Sequence, residues 1–535
     1  MFLRVKKNKG GSCSVVLLTG ERVPGKKHSM SRIIKNFGAA TDDSQIALLK
    51  DKALAFKEHL EATSPKTPTP LKILNSSDLR SCSSFTSGFS DVYGHMFNKL
   101  FGDIKLKASH LSRLKDLIVL RIAEPASKLK TSELAADYGL DLKVDNIYKL
   151  MDELTETKIK DIKKIIYNNS KNLLLWHKIE TSVLFYDLTT LYFETNSDDD
   201  LRKNGFSKDG KHQHVQIMLA MIVTNDGLPI DYMEFPGNSY EGHTLIPVLD
   251  KLKEQYDISR VVLVEDAALM NKINLTSLQE RGYEYIIAAK IKNSNKEIKD
   301  QVIDTTGYKL ISEEKDNDGV IDTTSAKIIK TTENDNVIAY YSTQRARKDQ
   351  YDRIKDLERI EKYLHSTGKS KLTSSLKKSY VKISKGCQVT IDQEKLELDK
   401  RFDGYFAIRT NIKTPNTKEL LVHYRGLWQI EASFRISKHN LEIRPIYHYN
   451  TKRILAHLLI CYLSLALIRY VEFILKRAAQ NIAFEQFHRM LHKMRKVIIT
   501  DNIGKEFELL EDPPPDLFSI YQALSLEWPK KFTNK

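Results

Sequence analysis

The chain is poor in the features that staple, activate or anchor a protein. It has four cysteines in 535 residues, Cys13, Cys82, Cys387 and Cys461, and no CxxC pair. That spacing indicates neither a disulfide framework nor a zinc knuckle, and it fits a reducing cytoplasm. No GxxxxGK[ST] loop is present, which argues against nucleotide hydrolysis, and no GxSxG elbow. The start, MFLRVKKNKGGSC, lacks the apolar core of a secretory signal. The longest apolar run, 454–470, is short for a span and carries His457 and Arg469. It predicts a buried helix and no membrane partner. Acid is scarce at the start: residues 1–37 hold nine Lys or Arg against Glu21 alone.

What is present is positive charge. The net charge is +15 with a pI of about 9.2, which favours a polyanion such as nucleic acid or an anionic membrane surface. At 535 residues the chain exceeds one core. Composition and pattern divide it into a basic N-terminal module with a β-hairpin (1–62) and a Ser/Thr/Pro-rich linker (63–90). A helical region (91–175) follows, in which 131–154 reads as helix, turn at Gly139, and a second helix bearing Tyr148 and Lys149. That is the outline of a helix-turn-helix.

From Val183 the pattern changes to strands. Residues 183–194, VLFYDLTTLYFE, are apolar or aromatic at nearly every position and predict a buried central strand. Asp187 lies in the middle of it. A carboxylate there demands a partner: a Lys or Arg, or a metal shared with other acids. Strands are expected at 214–224 and 228–235, joined by the hairpin signal Asn225-Asp226-Gly227, and at 260–267 and 283–291, with helices from about Leu245 and from Asn271. This argues a mixed α/β sheet over 176–293. Residues 294–402 read as an insertion with its own β-structure and a helix near 344–365. The core resumes over 403–475, with a strand at 404–411 and a helix from about Lys418 to Lys438, and 476–535 reads as a helical tail.

The strand at 260–267 ends in Glu265 and Asp266, of which only one can face a site built by Asp187. On the helix, Tyr424, Leu427, Glu431, Arg435 and Lys438 share a stripe roughly 80° wide. A carboxylate bracketed by Tyr, Arg and Lys suits metal-dependent phosphate chemistry: the acid holds a cation and the bases hold DNA phosphates. His212 and His214 have ligand-like spacing on a strand but no obvious third ligand, and they read as strand-edge or DNA-facing residues. Glu241 and His243 follow a Gly-Asn turn and would orient a phosphate or cap the next helix.

The order of Asp187, Asp266 and, after a long insertion, Glu431 resembles that of the DDE insertion-sequence transposases, whose core is RNase H-like. Those relatives carry a tyrosine seven residues before the glutamate and a lysine seven after, matched by Tyr424 and Lys438. They carry an arginine four before it, where this chain has Leu427, and Arg425 and Arg435 are the nearby substitutes. GFSKDGKHQHVQ (205–216), VEDAALMNKINL (264–275), FPGNSYEGHTL (235–245) and 444–458 are also similar to family segments, with Ala268 where a Gly is common. The resemblance implies an α/β, RNase H-like mixed sheet with flanking helices. It implies Asp187, Asp266 and Glu431 as catalytic and metal-binding residues for two Mg²⁺ ions, with Mn²⁺ as substitute. It implies Tyr424, Arg425, Arg435 and Lys438 as DNA contacts. Expected partners are double-stranded DNA, both terminal inverted repeats and target, and a second copy in a homodimeric synaptic complex. A prokaryotic, nucleoid-associated cytoplasmic location follows. The rival readings are an RNase H-like nuclease without strand transfer and an inactive DNA-binding remnant.

Overall fold

The computed structural model describes residues 1–8, 11–21, 30–63, 79–177, 183–256, 262–265, 272–315, 319–332, 335–365, 380–383 and 389–534. They form two compact units, 1–169 with 435–535, and 170–434.

The first unit starts with β1 (Phe2–Lys7), β2 (Cys13–Glu21) and β3 (Met30–Ala40), an antiparallel sheet rather than a hairpin alone. Val15 and Leu17 are buried on β2, and helix Asp43–Thr63 covers them with Ala53 and Phe56. Arg4, Lys6 and Lys7 are exposed on β1. Residues 64–78 of the expected linker lie outside the described residues, and Leu79–Thr86 form β4. This corrects the linker reading. The partner of β4 lies some 400 residues further along, where local composition carries no trace of it. The helix–turn–helix outline is present as helix Lys128–Leu134, a 3-10 turn at Ala135–Tyr138, and helix Val144–Glu153. Gly139 has φ +67°, and a Cβ there would stand 2.5 Å from the Phe85 ring of β4, so both backbone and packing require glycine.

The second unit is built on β5 (Val183–Tyr192), β6 (Gln216–Thr224), β7 (Pro229–Pro236), β8 (Val262–Glu265) and β9 (Glu284–Ala289). All nine residues of β6 are buried, as expected of a strand covered on both faces. Gly227, at φ +79°, makes the tight β6–β7 turn. The order β7-β6-β5-β8-β9, three antiparallel strands and then two parallel to β5, is that of an RNase H-like core. Helices Leu245–Tyr256 and Lys272–Glu280 make the parallel connections.

The expected insertion is not a separate sheet. Its strands β10 (Lys309–Lys315), β11 (Ile321–Thr332) and β12 (Asp335–Ser342) join the core through β15 (Tyr405–Thr410), giving one nine-stranded sheet, β10-β11-β12-β15-β9-β8-β5-β6-β7. Ile338, Ala339 and Tyr340 on β12 and Ile408 on β15 are buried, so apolar packing on the sheet faces carries the continuity. Helix Thr343–His365 and the small pair β13 (Val381–Ile383) and β14 (Val389–Ile391) lie within this insertion.

Residues 435–535 return to the first unit. Helix Thr451–Arg477 is long and apolar enough to cross a membrane by length and composition, yet 89% of its most apolar stretch is buried inside the protein. Thr451–Arg477 is therefore the core helix that the sequence predicts. The helical tail is corrected too. It holds β16 (Arg495–Asp501), β17 (Glu506–Leu510) and β18 (Phe532–Asn534), in a sheet ordered β18-β17-β16-β4. Phe518 and Trp528 pack with Phe56, so the N-terminal module shares a core with the tail.

Candidate active site

Of the ten residues of β5 only Asp187 and Tyr192 are partly exposed. β8 pairs with β5 at Val183, Leu184 and Phe185, and beyond Phe185 that edge of β5 has no strand neighbour among the described residues. Asp187 sits where the pairing stops. Its carboxyl is pushed up to about 6, chiefly by burial. Lys208 and the Leu188 N–H, which donates to Oδ1 at 2.7 Å, oppose the rise, while Glu241 and Glu431 add to it.

Lys208 is the cation that a buried aspartate demands. Its Nζ donates to the Leu188 carbonyl at 2.8 Å and pairs with Glu241 Oε1 at 3.1 Å. Its backbone N–H donates to Thr190 Oγ1 at 3.0 Å. One loop therefore supplies both a charge partner for Asp187 and hydrogen bonds along the open stretch of β5.

Two glycines and a glutamine set that loop beside the one carrying Glu241. The buried Gln216 side chain donates from Nε2 to the carbonyls of Phe206 and Gly237, each at 2.9 Å. A Cβ on Gly205 would stand 2.1 Å from the Gly237 carbonyl oxygen, and one on Gly237 2.1 Å from that of Gln216. Only glycine allows backbones to approach so closely. Glu241 opens a 3-10 turn, and the hydroxyls of Tyr186 and Thr244 hydrogen-bond at 2.7 Å just behind it.

Glu431 arrives on a helix shorter than expected. The chain runs as helix Thr417–Arg425, a turn at Gly426 and Leu427, helix Trp428–Arg435, and a π-helical turn Ile436–Asn440. This corrects the continuous helix 418–438 and, with it, the single stripe from Tyr424 to Lys438. The break has a packing cause. A Cβ on Gly426 would lie 2.7 Å from Phe185 Cζ and 2.8 Å from Asn225 Oδ1, so the turn presses on the sheet where a side chain would not fit. Phe185 is two residues before Asp187 and shares its face. Five residues past the contact, Glu431 is close enough to raise the Asp187 carboxyl.

Asp187 thus has Lys208, Glu241 and the exposed Glu431 within electrostatic reach. Asp266 lies outside the described residues, and among those described no group of three metal ligands is gathered. Tyr424 is half-buried before the turn, and Leu427 is half-buried within it. Arg425 is exposed and near Tyr340 of β12, whose hydroxyl is raised by burial and slightly eased by that charge. Arg435 is exposed at its helix end, and Lys438 is half-buried in the π-turn. His212 and His214 precede β6 in a turn instead of lying on it; His214 Nδ1 meets the Phe193 carbonyl at 3.0 Å. Lys208 was not singled out from the sequence, although its segment was. Its signal is a lysine in a Gly-bounded loop preceding a fully buried strand.

The sheet order, with Asp187 at the end of its central parallel pairing, places the chain among α/β proteins of RNase H-like fold. The family described as "Transposase DDE domain" matches residues 178–467, more than half of the chain. The chain belongs to that family, which makes DNA transposition its activity class. No curated protein matches. Among solved structures, a piggyBac transposase synaptic complex with hairpin DNA is 9% identical with a TM-score of 0.35, covering 76% of each chain. A Mos1 transposase paired-end complex with the left transposon end is 14% identical with a TM-score of 0.15, covering 36% of this chain and 70% of the other. A Mos1 mariner paired-end complex with Mn is 13% identical with the same TM-score, covering 36% and 71%.

Proposed function

We propose that the chain is the DDE transposase of an insertion sequence, which binds terminal inverted repeats, cleaves a phosphodiester bond at their boundary and joins the freed end to target DNA. The observation that carries this reading is Asp187 at the open edge of β5, with Lys208, Glu241 and Glu431 within electrostatic reach and its carboxyl raised to about 6. Asp187 is largely buried beside Lys208, with the half-buried Glu241 and the exposed Glu431 within electrostatic reach. That donor set fits a hard divalent cation with oxygen ligands.

Asp187, Asp266 and Glu431 are the proposed ligands of two Mg²⁺ ions, with Mn²⁺ as substitute. For the second acid, Val264 lies opposite Phe185 in the ladder. The alternation that this sets favours position 266 over 265 for the Asp187 side. When bound, the ions polarise the scissile phosphate and lower the pKa of the attacking water or 3′-hydroxyl. Lys208 holds Glu241 and the β5 edge in place, keeping the acids from spreading. Tyr424, Arg425, Arg435 and Lys438 are the proposed DNA contacts, and the helix pair 128–153 with the basic first strand is the proposed reader of the repeats. Joining two ends calls for a homodimer in the synaptic complex, acting in a prokaryotic cytoplasm.

The test is cleavage of a labelled duplex bearing the element's terminal repeat, in Mg²⁺ or Mn²⁺ against EDTA, with Glu431→Gln alongside. Nicking at the repeat boundary that needs metal and is lost in the variant supports the proposal. Binding without cutting favours an inactive remnant, cutting without end joining a nuclease. Cutting unchanged in Glu431→Gln removes Glu431 from the site.

A further inference from the structure

The 1–169/435–535 unit holds a cavity of about 500 Å³ whose charge is opposite to that of the carboxylate site. Arg121, from helix Ala108–Ala123, and Lys128, from helix Lys128–Leu134, line it, and each is only 4% exposed. Neither has a carboxylate partner within salt-bridge distance among the described residues. Arg121 Nη1 donates to the Leu441 carbonyl at 3.3 Å, and its buried Nε–H has no partner among the described residues. Lys128 Nζ lies 3.3 Å from His457 Nδ1. His457 Nε2 is 3.0 Å from the Ile443 carbonyl, so Nε2 carries the proton and Nδ1 accepts from Lys128. The lysine's hydrogen-bond partner is therefore a neutral ring.

The surroundings record the excess positive charge. His448 is pushed down to about 4, by burial first and then by Lys128, Arg453 and Arg121. Lys128 itself is driven well below the usual lysine range by burial and by Arg121, with Cys461 opposing. Glu442, the carboxylate on the lining, is exposed. Keeping Arg121 and Lys128 protonated here without counter-charge is unfavourable, which is why burial drives Lys128 down. A bound anion removes that cost.

Shape narrows the anion. Tyr148 and His448 present rings to the cavity, 6.3 Å apart at 89°, and Arg453, tied to Asp152 at 2.7 Å, stacks on Tyr148 at 4.6 Å. Arg444 also lines the space. The volume lies in the range of small-ligand sites, larger than a bare oxyanion needs. We propose that this cavity is a phosphate site for a DNA strand, in which Arg121 and Lys128 take one backbone phosphate while Tyr148 and His448 flank the attached nucleoside. The choice of DNA as the phosphate's source rests on the transposase reading; the phosphate chemistry does not.

The experiment uses the full chain. Melting temperature is compared in phosphate and in chloride at equal ionic strength for the parent, Lys128→Met, Arg444→Gln and Glu431→Gln. Phosphate is expected to raise the parent's melting temperature and that of Glu431→Gln equally. Lys128→Met is expected to melt no lower than the parent in chloride, because an unfavourably buried amine is gone, and to bind phosphate about tenfold more weakly. Arg444→Gln should weaken phosphate binding without loss of fold. No phosphate effect on the parent, an undiminished effect in both cavity variants, or a Lys128→Met protein that melts well below the parent in chloride would overturn the site. The source is read from binding of a duplex with unphosphorylated ends across salt concentrations. Lys128→Met should flatten the log–log salt slope by about one phosphate contact. An unchanged slope alongside a lost phosphate effect overturns the assignment to DNA and leaves a free phosphate compound as the ligand.

Discussion

The two units each bury an ionisable group without full compensation, acidic in one and basic in the other. In the 170–434 unit the buried Asp187 has Lys208 beside it and Glu241 and the exposed Glu431 within electrostatic reach. In the other unit Arg121 and Lys128 have a neutral histidine and, among the described residues, no carboxylate within salt-bridge distance. The lesson is that a native protein keeps a buried imbalance where a ligand of opposite sign completes it. A divalent cation at the carboxylate site and a phosphate in the cationic cavity are the two ligands proposed to complete these imbalances.

The largest effect is expected from Asp187→Asn. Cleavage should fall by roughly 10³-fold, as when a transition-state electrostatic contact is removed. The same variant should stabilise the metal-free protein. The folded state keeps the Asp187 proton up to about 6, against 3.8 for the ordinary carboxyl. Between those values the native state binds the extra proton, so stability falls as pH rises from about 4 to about 6. Asp187→Asn should remove that fall and gain about 1–3 kcal/mol above pH 6, allowing for partial exposure, with no gain below pH 4. Urea melts without metal across pH 4–7.5 measure it; a variant less stable at every pH would show that the carboxylate is structural.

Gly426→Ala tests how the carboxylates are brought together. The new methyl meets Phe185 and Asn225 below 3 Å. It should cost about 1–3 kcal/mol in denaturant melts and depress cleavage by moving Glu431. Full activity with normal stability would mean that the turn is free to shift.

A smaller effect is expected at Gln216→Ala, which leaves the carbonyls of Phe206 and Gly237 without their donor. A loss of about 1–3 kcal/mol should accompany loosened Lys208 and Glu241 loops, read as faster amide hydrogen exchange over 201–215 and 237–244. Exchange unchanged in both loops would show that Gln216 does not set their position.

Much of this was legible in the residues because it is local. The run around Asp187, the Asn-Asp-Gly hairpin, the helix near 344–365 and the Glu431 segment carry their periods and turn signals within a few residues. The departures are long-range. Residues 79–86 look like linker because their partner β16 is some 400 positions away. The insertion looks autonomous because β12 and β15 meet only in the folded sheet. The helix 418–438 looks continuous because nothing in HYRGLWQIEASFRISK reveals that Phe185 lies under Gly426.

The sequence by itself determined the mixed α/β class, the central strand with its embedded aspartate, the buried helix at 451–477, and the excess of positive charge, since periodicity, composition and charge are properties of neighbours along the chain. Tertiary structure alone decided that Lys208 and Glu241 join Asp187 and Glu431, and that Arg121 and Lys128 share one cavity. Burial and the field of distant charges depend on distances in space, and those exist only once the chain has folded.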